Sequence, residues 1–213
     1  MKVLGIVCSP REGGNTEIMM EEALAGAKSQ GAETELWTTA GKELKPCDAC
    51  STCLKQDGKC HIEDDMQTLY PKILAADGII FGSPAYFGFM TAQAKTVVDR
   101  LFCLATMNKL NNKVAGVIST AGAVGHQGVW IQFSHIIPHC RMLIADYAFG
   151  FALAKGDVRK DKFAMKSSEE LGKQVVSLIN KQFRYPEEYD RPLYRVCREQ
   201  YGVDSYPLKR FDK

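Results

Sequence analysis

Apolar and polar positions along the chain switch between two periods. Residues 2–7 are almost continuously apolar and β-branched, as in a buried strand, and Ser9-Pro10-Arg11-Glu12-Gly13-Gly14-Asn15-Thr16 breaks the run. Met20, Ala23, Leu24 and Ala27 then recur at helical spacing, the stripe of a helix lying on a sheet, and Gly31 ends it. Glu33 to Thr38 reads as a second, more polar strand suited to a sheet edge. Met66, Leu69, Tyr70, Ile73 and Leu74 stripe a helix that Asp64-Asp65 is placed to cap. Pro71 inside that stripe predicts a kink or a late start to the regular helix. Gly78 to Gly82 is a short buried strand, followed by a helix striped by Ala94, Val97, Val98 and Leu101. Lys113 to Ser119 is a fourth strand, Gln127 to His139 a helix, and Met142 to Tyr147 a fifth strand. Leu171, Val175 and Leu178 stripe the last helix. From about Phe183 the chain turns rich in Tyr, Arg and Pro and loses any period.

Strand–helix alternation of this kind predicts an α/β fold, a parallel sheet with helices on both faces. Five strands fit the flavodoxin-like order 2-1-3-4-5. The expected organisation is one domain over 1–182, with a cysteine-rich insertion at 46–61. A C-terminal arm over 183–213 would pack on the body or on a neighbouring subunit. At 213 residues, 46% hydrophobic and 24% charged, whole-chain disorder is excluded. A formal net charge of +2 gives no general pull toward nucleic acid or a membrane surface. No apolar run approaches the roughly 20 residues of a membrane span. The apolar run that begins at Val3 reads as a core strand and not as a signal peptide, so a cytoplasmic protein is expected.

In such a sheet ligands bind beyond the carboxyl ends of the strands, at the topological switch point. The first of these ends carries Ser9, Arg11, Gly14, Asn15 and Thr16 directly before a helix. A helix N-terminus with close glycines and hydroxyl, amide and guanidinium donors suits a phosphate, although an ordinary capped turn would use the same residue types. The loop matches neither the nucleoside triphosphate loop G-x-x-x-x-G-K-[ST] nor the dinucleotide fingerprint G-x-G-x-x-G. Cys8 is not followed by the arginine of a cysteine-phosphatase loop and reads as a small core residue. The second end, Pro84-Ala85-Tyr86-Phe87-Gly88, sets aromatics beside open backbone, where a flat ring could stack. The third, Thr120-Ala121-Gly122, is small enough for close backbone approach. An anion loop beside two such loops points to a phosphorylated flat cofactor, FMN.

Eight cysteines are many for a reducing compartment, and Cys47, Cys50, Cys53 and Cys60 fall within fourteen residues as C-x2-C-x2-C-x6-C. Four thiolates so close suit a soft-metal centre. The first three resemble the start of the ferredoxin run, whereas zinc sites more often pair two C-x2-C units across a longer spacer. A [4Fe-4S] cluster leads; structural zinc and unmetallated thiols are the alternatives. Cys103, Cys140 and Cys197 read as packed small residues. His135 and His139, at i and i+4, lack a third ligand in the sequence.

Ser9-Pro10-Arg11, Gly14-Asn15-Thr16, the four-cysteine run, Asp64-Asp65-Met66, Gly82 to Gly88 and Lys95 with Asp99-Arg100 together resemble the iron–sulfur flavoproteins, within the flavodoxin-like NAD(P)H-dependent FMN reductase superfamily. The resemblance covers roughly residues 1–180, and the cysteine run is its most specific part. It implies FMN held by the three loops, with Ser9, Arg11, Asn15 and Thr16 on the phosphate and Pro84 to Gly88 and Thr120 to Gly122 bordering the ring. It further implies a cluster on the cysteine insertion, a homodimer or homotetramer in which that insertion faces a neighbouring subunit's flavin, and reduced ferredoxin as the electron donor. The chain reads Gly125-His126-Gln127-Gly128 where relatives often read Gly-Gly-Gln-Glu. A small acceptor such as oxygen, peroxide or a quinone-like molecule would complete an electron-transfer function carried by the cofactors, with no acid–base triad. The rival readings are a cluster-free NAD(P)H-dependent FMN or quinone reductase, and a non-catalytic flavin carrier or zinc-stabilised interaction module.

Overall fold

Successive side chains of the first strand point to opposite faces of a sheet, and both faces are buried. In β1 (Lys2–Val7), Val3 and Val7 join one apolar cluster while Leu4 and Ile6 join the other. The computed structural model describes residues 1–186. After β1 come α1 (Asn15–Ser29), β2 (Glu33–Thr38), a single turn α2 (Thr52–Lys55) and α3 (Met66–Ala75). β3 (Gly78–Tyr86), a two-residue β4 (Phe89–Met90), α4 (Ala92–Arg100) and a short α5 (Phe102–Ala105) follow. The chain continues through β5 (Val114–Ala121), α6 (His126–His139), β6 (Leu143–Phe151) and α7 (Lys162–Asn180).

The sheet runs β2-β1-β3-β5-β6 with every neighbour parallel, and β4 folds back antiparallel on β3. Leaving out that small hairpin, the order of the five parallel strands is 2-1-3-4-5, as the alternation predicts. One face is covered by α1 and α7, the other by α3, α4 and α6. Because the five strands are parallel, their carboxyl ends lie on one side of the sheet, and the loops after β1, β3, β5 and β6 gather there.

Several boundaries differ from the sequence expectation for local reasons. β3 continues through Ser83-Pro84 to Tyr86, since its partner β5 runs alongside to Thr120 and Pro84 needs no N–H there. β6 extends to Phe151 because Tyr147, Phe149 and Phe151 keep the strand period. Pro71 does not delay α3, which starts at Met66; the burial of Leu69, Tyr70 and Ile73 compensates for the hydrogen bond that Pro71 cannot donate. Asp65 occupies the cap position without a capping side-chain bond and accepts the Glu43 N–H, while Asp64 accepts the N–H groups of Lys45, just before the cysteine insertion, and of Met66, at the helix start. Of the expected arm, Tyr185 donates its backbone N–H to Asn112 at 2.9 Å, so its first residues pack on the body. The remainder of the arm, Cys197 included, lies outside the described residues.

The tightest contact is between helices. A Cβ at Gly172 of α7 would lie 1.8 Å from the Ala23 carbonyl oxygen of α1, and one at Gly26 would lie 2.1 Å from the Glu169 carbonyl oxygen. Backbone meets backbone there, and neither can yield as a side chain can. Gly172→Ala is expected to lower stability by about 1–3 kcal/mol. The measurement is a lower urea midpoint at unchanged slope; an unchanged midpoint would mean the helices separate at no cost.

Candidate functional site

Two cavities gather the candidate site residues. The first lies at the carboxyl end of β1, β3 and β5. Ser9, Arg11, Gly14, Asn15, Thr16, Pro84, Ala85, Tyr86, Thr120, Ala121 and Gly122 line one hollow of about 160 Å³, together with Ala152 and Leu153. Phe87 and Gly88 are not part of that lining. Phe87 is fully exposed with φ of 51°, at the tip of the β3–β4 turn. Gly88 packs on α6 instead: a Cβ at Gly128 would meet its carbonyl oxygen at 1.8 Å.

The end of the hollow expected to take a phosphate is built from the loop before α1. Gly14 stands at the N-cap with no side chain to offer, so the first-turn N–H groups stay available to a ligand. A Cβ at Gly14 would approach the Arg11 carbonyl oxygen to 3.0 Å, so glycine is what keeps this cradle open. Ser9 Oγ accepts the Arg11 backbone N–H at 3.2 Å and shapes the turn. Thr16 and Thr120 are both buried and share an Oγ1–Oγ1 hydrogen bond of 2.7 Å, which ties the first loop to the third. The Asn15 side chain is fully engaged elsewhere: Nδ2 donates to the Ala154 carbonyl at 2.9 Å, and Oδ1 accepts from Gly156 N at 2.9 Å. What Asn15 offers the hollow is its backbone N–H. The loop after β6 was missed by sequence reasoning. Leu153 covers Gly122, whose Cβ would lie 2.8 Å from Leu153 Cδ2. The available signal was the glycine-containing turn following the last strand, which a parallel sheet delivers to the same end.

The second cavity, about 580 Å³, is lined by all four clustered cysteines and by Val98, Leu101, Phe102, Ile136 and Cys140. None of the four is in a disulfide. Arg100 and Asp64 hold the loop that carries them. Their side chains are 0% exposed, and Arg100 Nη1 donates to Asp64 Oδ2 at 2.7 Å while Nη2 reaches Oδ1 at 3.1 Å. Arg100 also donates to the carbonyls of Lys45 at 2.9 Å and Ile62 at 3.2 Å, one on each shoulder of the cysteine segment. Asp64 Oδ2 accepts the Lys45 N–H at 2.8 Å, and Gln67 Nε2 donates to the Ile62 carbonyl at 2.8 Å. The shoulders are therefore fixed by the body of the protein. The tip turns sharply, with Ala49 and Ser51 at φ of 57° and 58° on either side of Cys50.

Burial, reinforced by the neighbouring thiols, pushes the Cys53 thiol up to about 11. A bound metal centre must displace that proton, as thiolate ligation requires. Burial alone pushes Cys8 up to about 12, in keeping with a core residue. Burial works against ionisation of Asp64, yet the Arg100 guanidinium and two backbone N–H groups hold it below the ordinary carboxylate range. Among the described residues, the grouping compact enough for a single ion is Asp48, Cys50 and His61, with ligand atoms within 4.8 Å of one another. Its His61 Nε2–Asp48 Oδ2 contact of 2.8 Å is an exposed hydrogen bond, and the other three cysteines lie outside the group. His135 and His139 stack at 6.2 Å and gain no third ligand among the described residues.

Residues 1–155 match the family model of the NADPH-dependent FMN reductases. An iron–sulfur flavoprotein of Methanocaldococcus jannaschii is 39% identical over 189 residues, covering 84% of this chain and 97% of that protein. An iron–sulfur flavoprotein of Methanosarcina thermophila is 37% identical over 183 residues, covering 84% and 95%. Among solved structures, RosB with a bound formylriboflavin phosphate intermediate superposes with a TM-score of 0.71 at 18% identity, over 98% of this chain and 89% of that one, a likeness of fold. The chain belongs to the NADPH-dependent FMN reductase family, among the iron–sulfur flavoproteins. It is accordingly a flavin-dependent oxidoreductase. No helix among the described residues is long and apolar enough to cross a membrane.

Proposed function

We propose that the chain passes electrons between a [4Fe-4S] cluster held by Cys47, Cys50, Cys53 and Cys60 and FMN held at the carboxyl end of the sheet. A ferredoxin-type protein supplies the electrons, and a small acceptor such as oxygen, peroxide or a quinone-like molecule takes them. The observation that carries this reading is one cavity lined by four free cysteines, on a loop whose shoulders are pinned by a buried ion pair. The sequence spacing C-x2-C-x2-C-x6-C supports an iron–sulfur centre over zinc, whose sites more often pair two C-x2-C units across a longer spacer. FMN is supported by the glycine-lined hollow at a helix N-terminus and by the family.

The cofactors supply the redox chemistry: single-electron exchange at the cluster and one- or two-electron exchange at the flavin. The protein's part is placement. The first-turn N–H groups of α1 and the Arg11 guanidinium would hold the phosphate, Thr16–Thr120 fixes the two loops that would flank it, and Tyr86 would border the ring. The apolar wall of Val98, Leu101 and Ile136 keeps water from the inner side of the cluster. The cysteine insertion and the aromatic turn at Tyr86 and Phe87 make subunit contacts in a homodimer or homotetramer.

The deciding experiment is anaerobic purification with a visible spectrum, an iron and sulfide count and flavin identification. Four irons and four sulfides per chain with released FMN support the reading. FMN without iron favours a cluster-free reductase, and one zinc per chain favours a structural site. Arg11→Ala is expected to weaken FMN binding by about 1.5–3 kcal/mol, the loss of one charge-assisted bond, as read by fluorescence titration. Unchanged affinity would mean that Arg11 points elsewhere.

A further inference from the structure

The loop that follows β6 brings a second cation to the phosphate loop. The Cε and Nζ atoms of Lys155 lie 3.2 Å from where a Gly13 Cβ would stand, so the lysine rests on a glycine with φ of +59°. Neither the Lys155 ammonium nor the Arg11 guanidinium has an ion-pair partner among the described residues. Asn15 holds the backbone on both sides of Lys155, donating to the Ala154 carbonyl at 2.9 Å and accepting from Gly156 N at 2.9 Å. Asp157 Oδ2 accepts the Ala154 N–H at 2.9 Å and closes the same turn.

The charges around this loop call for two cations. A phosphate monoester carries about −1.5 to −2 near neutral pH. The Glu17 carboxylate is committed to the same loop, accepting the Gly13 N–H at 2.9 Å. Against that combined negative charge, Arg11 and the roughly half-charge of a helix N-terminus leave a deficit. Lys155 is the one further cation that the fold sets on Gly13.

We propose that Lys155 is the second cation of the FMN phosphate site and that Asn15 is the positioning residue that seats it, an assignment that rests on the FMN reading above. The sequence marks Asn15 as a phosphate ligand; the structure turns its side chain to the loop that delivers the lysine.

The test compares FMN with riboflavin, which lacks the phosphate, in titrations of the full chain after flavin removal. Lys155→Met is expected to weaken FMN roughly tenfold while leaving riboflavin unchanged, and Lys155→Arg to restore FMN affinity. Asn15→Ala is expected to weaken FMN selectively as well, and to add little on top of Lys155→Met, since both remove the same contact. Equal losses for the two flavins in Lys155→Met, or an unaltered FMN affinity, would overturn the assignment. A wild-type chain that binds riboflavin as tightly as FMN would overturn the FMN phosphate reading itself, which keeps the two failures apart.

Discussion

Arg100→Met is expected to lower folding stability by about 3–5 kcal/mol and to release the cysteine loop from the body of the protein. The size follows from removing one partner of a buried charge pair, which leaves the other charge uncompensated. Asp64 would stay buried with no cation, the Lys45 carbonyl would lose the Arg100 donor, and the Ile62 carbonyl would keep only Gln67. Removing both charges together, in Arg100→Met with Asp64→Leu, should cost less than Arg100→Met alone, because no buried charge remains. Chemical denaturation of the single and double variants measures this directly.

The same pair sets a pH signature. In the wild type the Asp64 carboxyl sits below the ordinary carboxylate range. The unfolded chain then binds more protons at this group than the native one does, so its contribution to stability is present above about pH 4 and is lost as pH falls through the lowered native value. In Arg100→Met the partner is gone and burial raises the Asp64 carboxyl instead. The native state then holds the extra proton, and the contribution falls as pH rises. The difference in stability between wild type and variant should therefore widen from acid toward neutral pH. A constant difference across that range would show that the pair carries no charge-linked stability.

The sheet was legible because its strands are buried on both faces. Ile79 to Phe81 and Val114 to Ser119 are near-continuous apolar runs, and the stripes of the covering helices keep a 3.6 period. Eleven of the thirteen residues expected to hold a cofactor line one hollow, because a parallel sheet delivers every strand's carboxyl end to the same side. Phe87 and Gly88 lie outside that hollow because the β3–β4 turn tips outward and Gly88 packs on Gly128. Arg100 was hidden by its own helix. A charge beside Val97, Val98 and Leu101 reads as the solvent edge of an amphipathic stripe, and its partner Asp64 is 36 residues upstream with no local pattern to join them. Asp64 itself reads as a helix cap, the commonest use of an aspartate before an apolar stripe. Pairings across such separations are set by packing, and no periodicity records them.

Replacing any one of Cys47, Cys50, Cys53 or Cys60 with Ala is expected to remove most of the iron and sulfide while FMN remains at one per chain. The two hollows share no lining residue, and the loop before α1 is fixed to the sheet by Thr16–Thr120 and not by the cysteine segment. The shoulders of the segment keep their anchors on Arg100 and Gln67, so only the tip around Cys50 should lose order, where two non-glycine residues hold left-handed backbone angles. Hydrogen exchange should then rise across 47–53 and stay unchanged at 62–66. Reduction of the flavin by a ferredoxin-type donor should fail in these variants while direct chemical reduction persists. Cys8→Ala, in the core beneath the first loop, should keep the cluster, and so should Cys140→Ala, a buried wall residue. Full iron and sulfide in any of the four single variants would remove that cysteine from the ligand set. Loss of FMN along with iron would mean that the two sites are coupled through the sheet, against the independence that their separate loops imply.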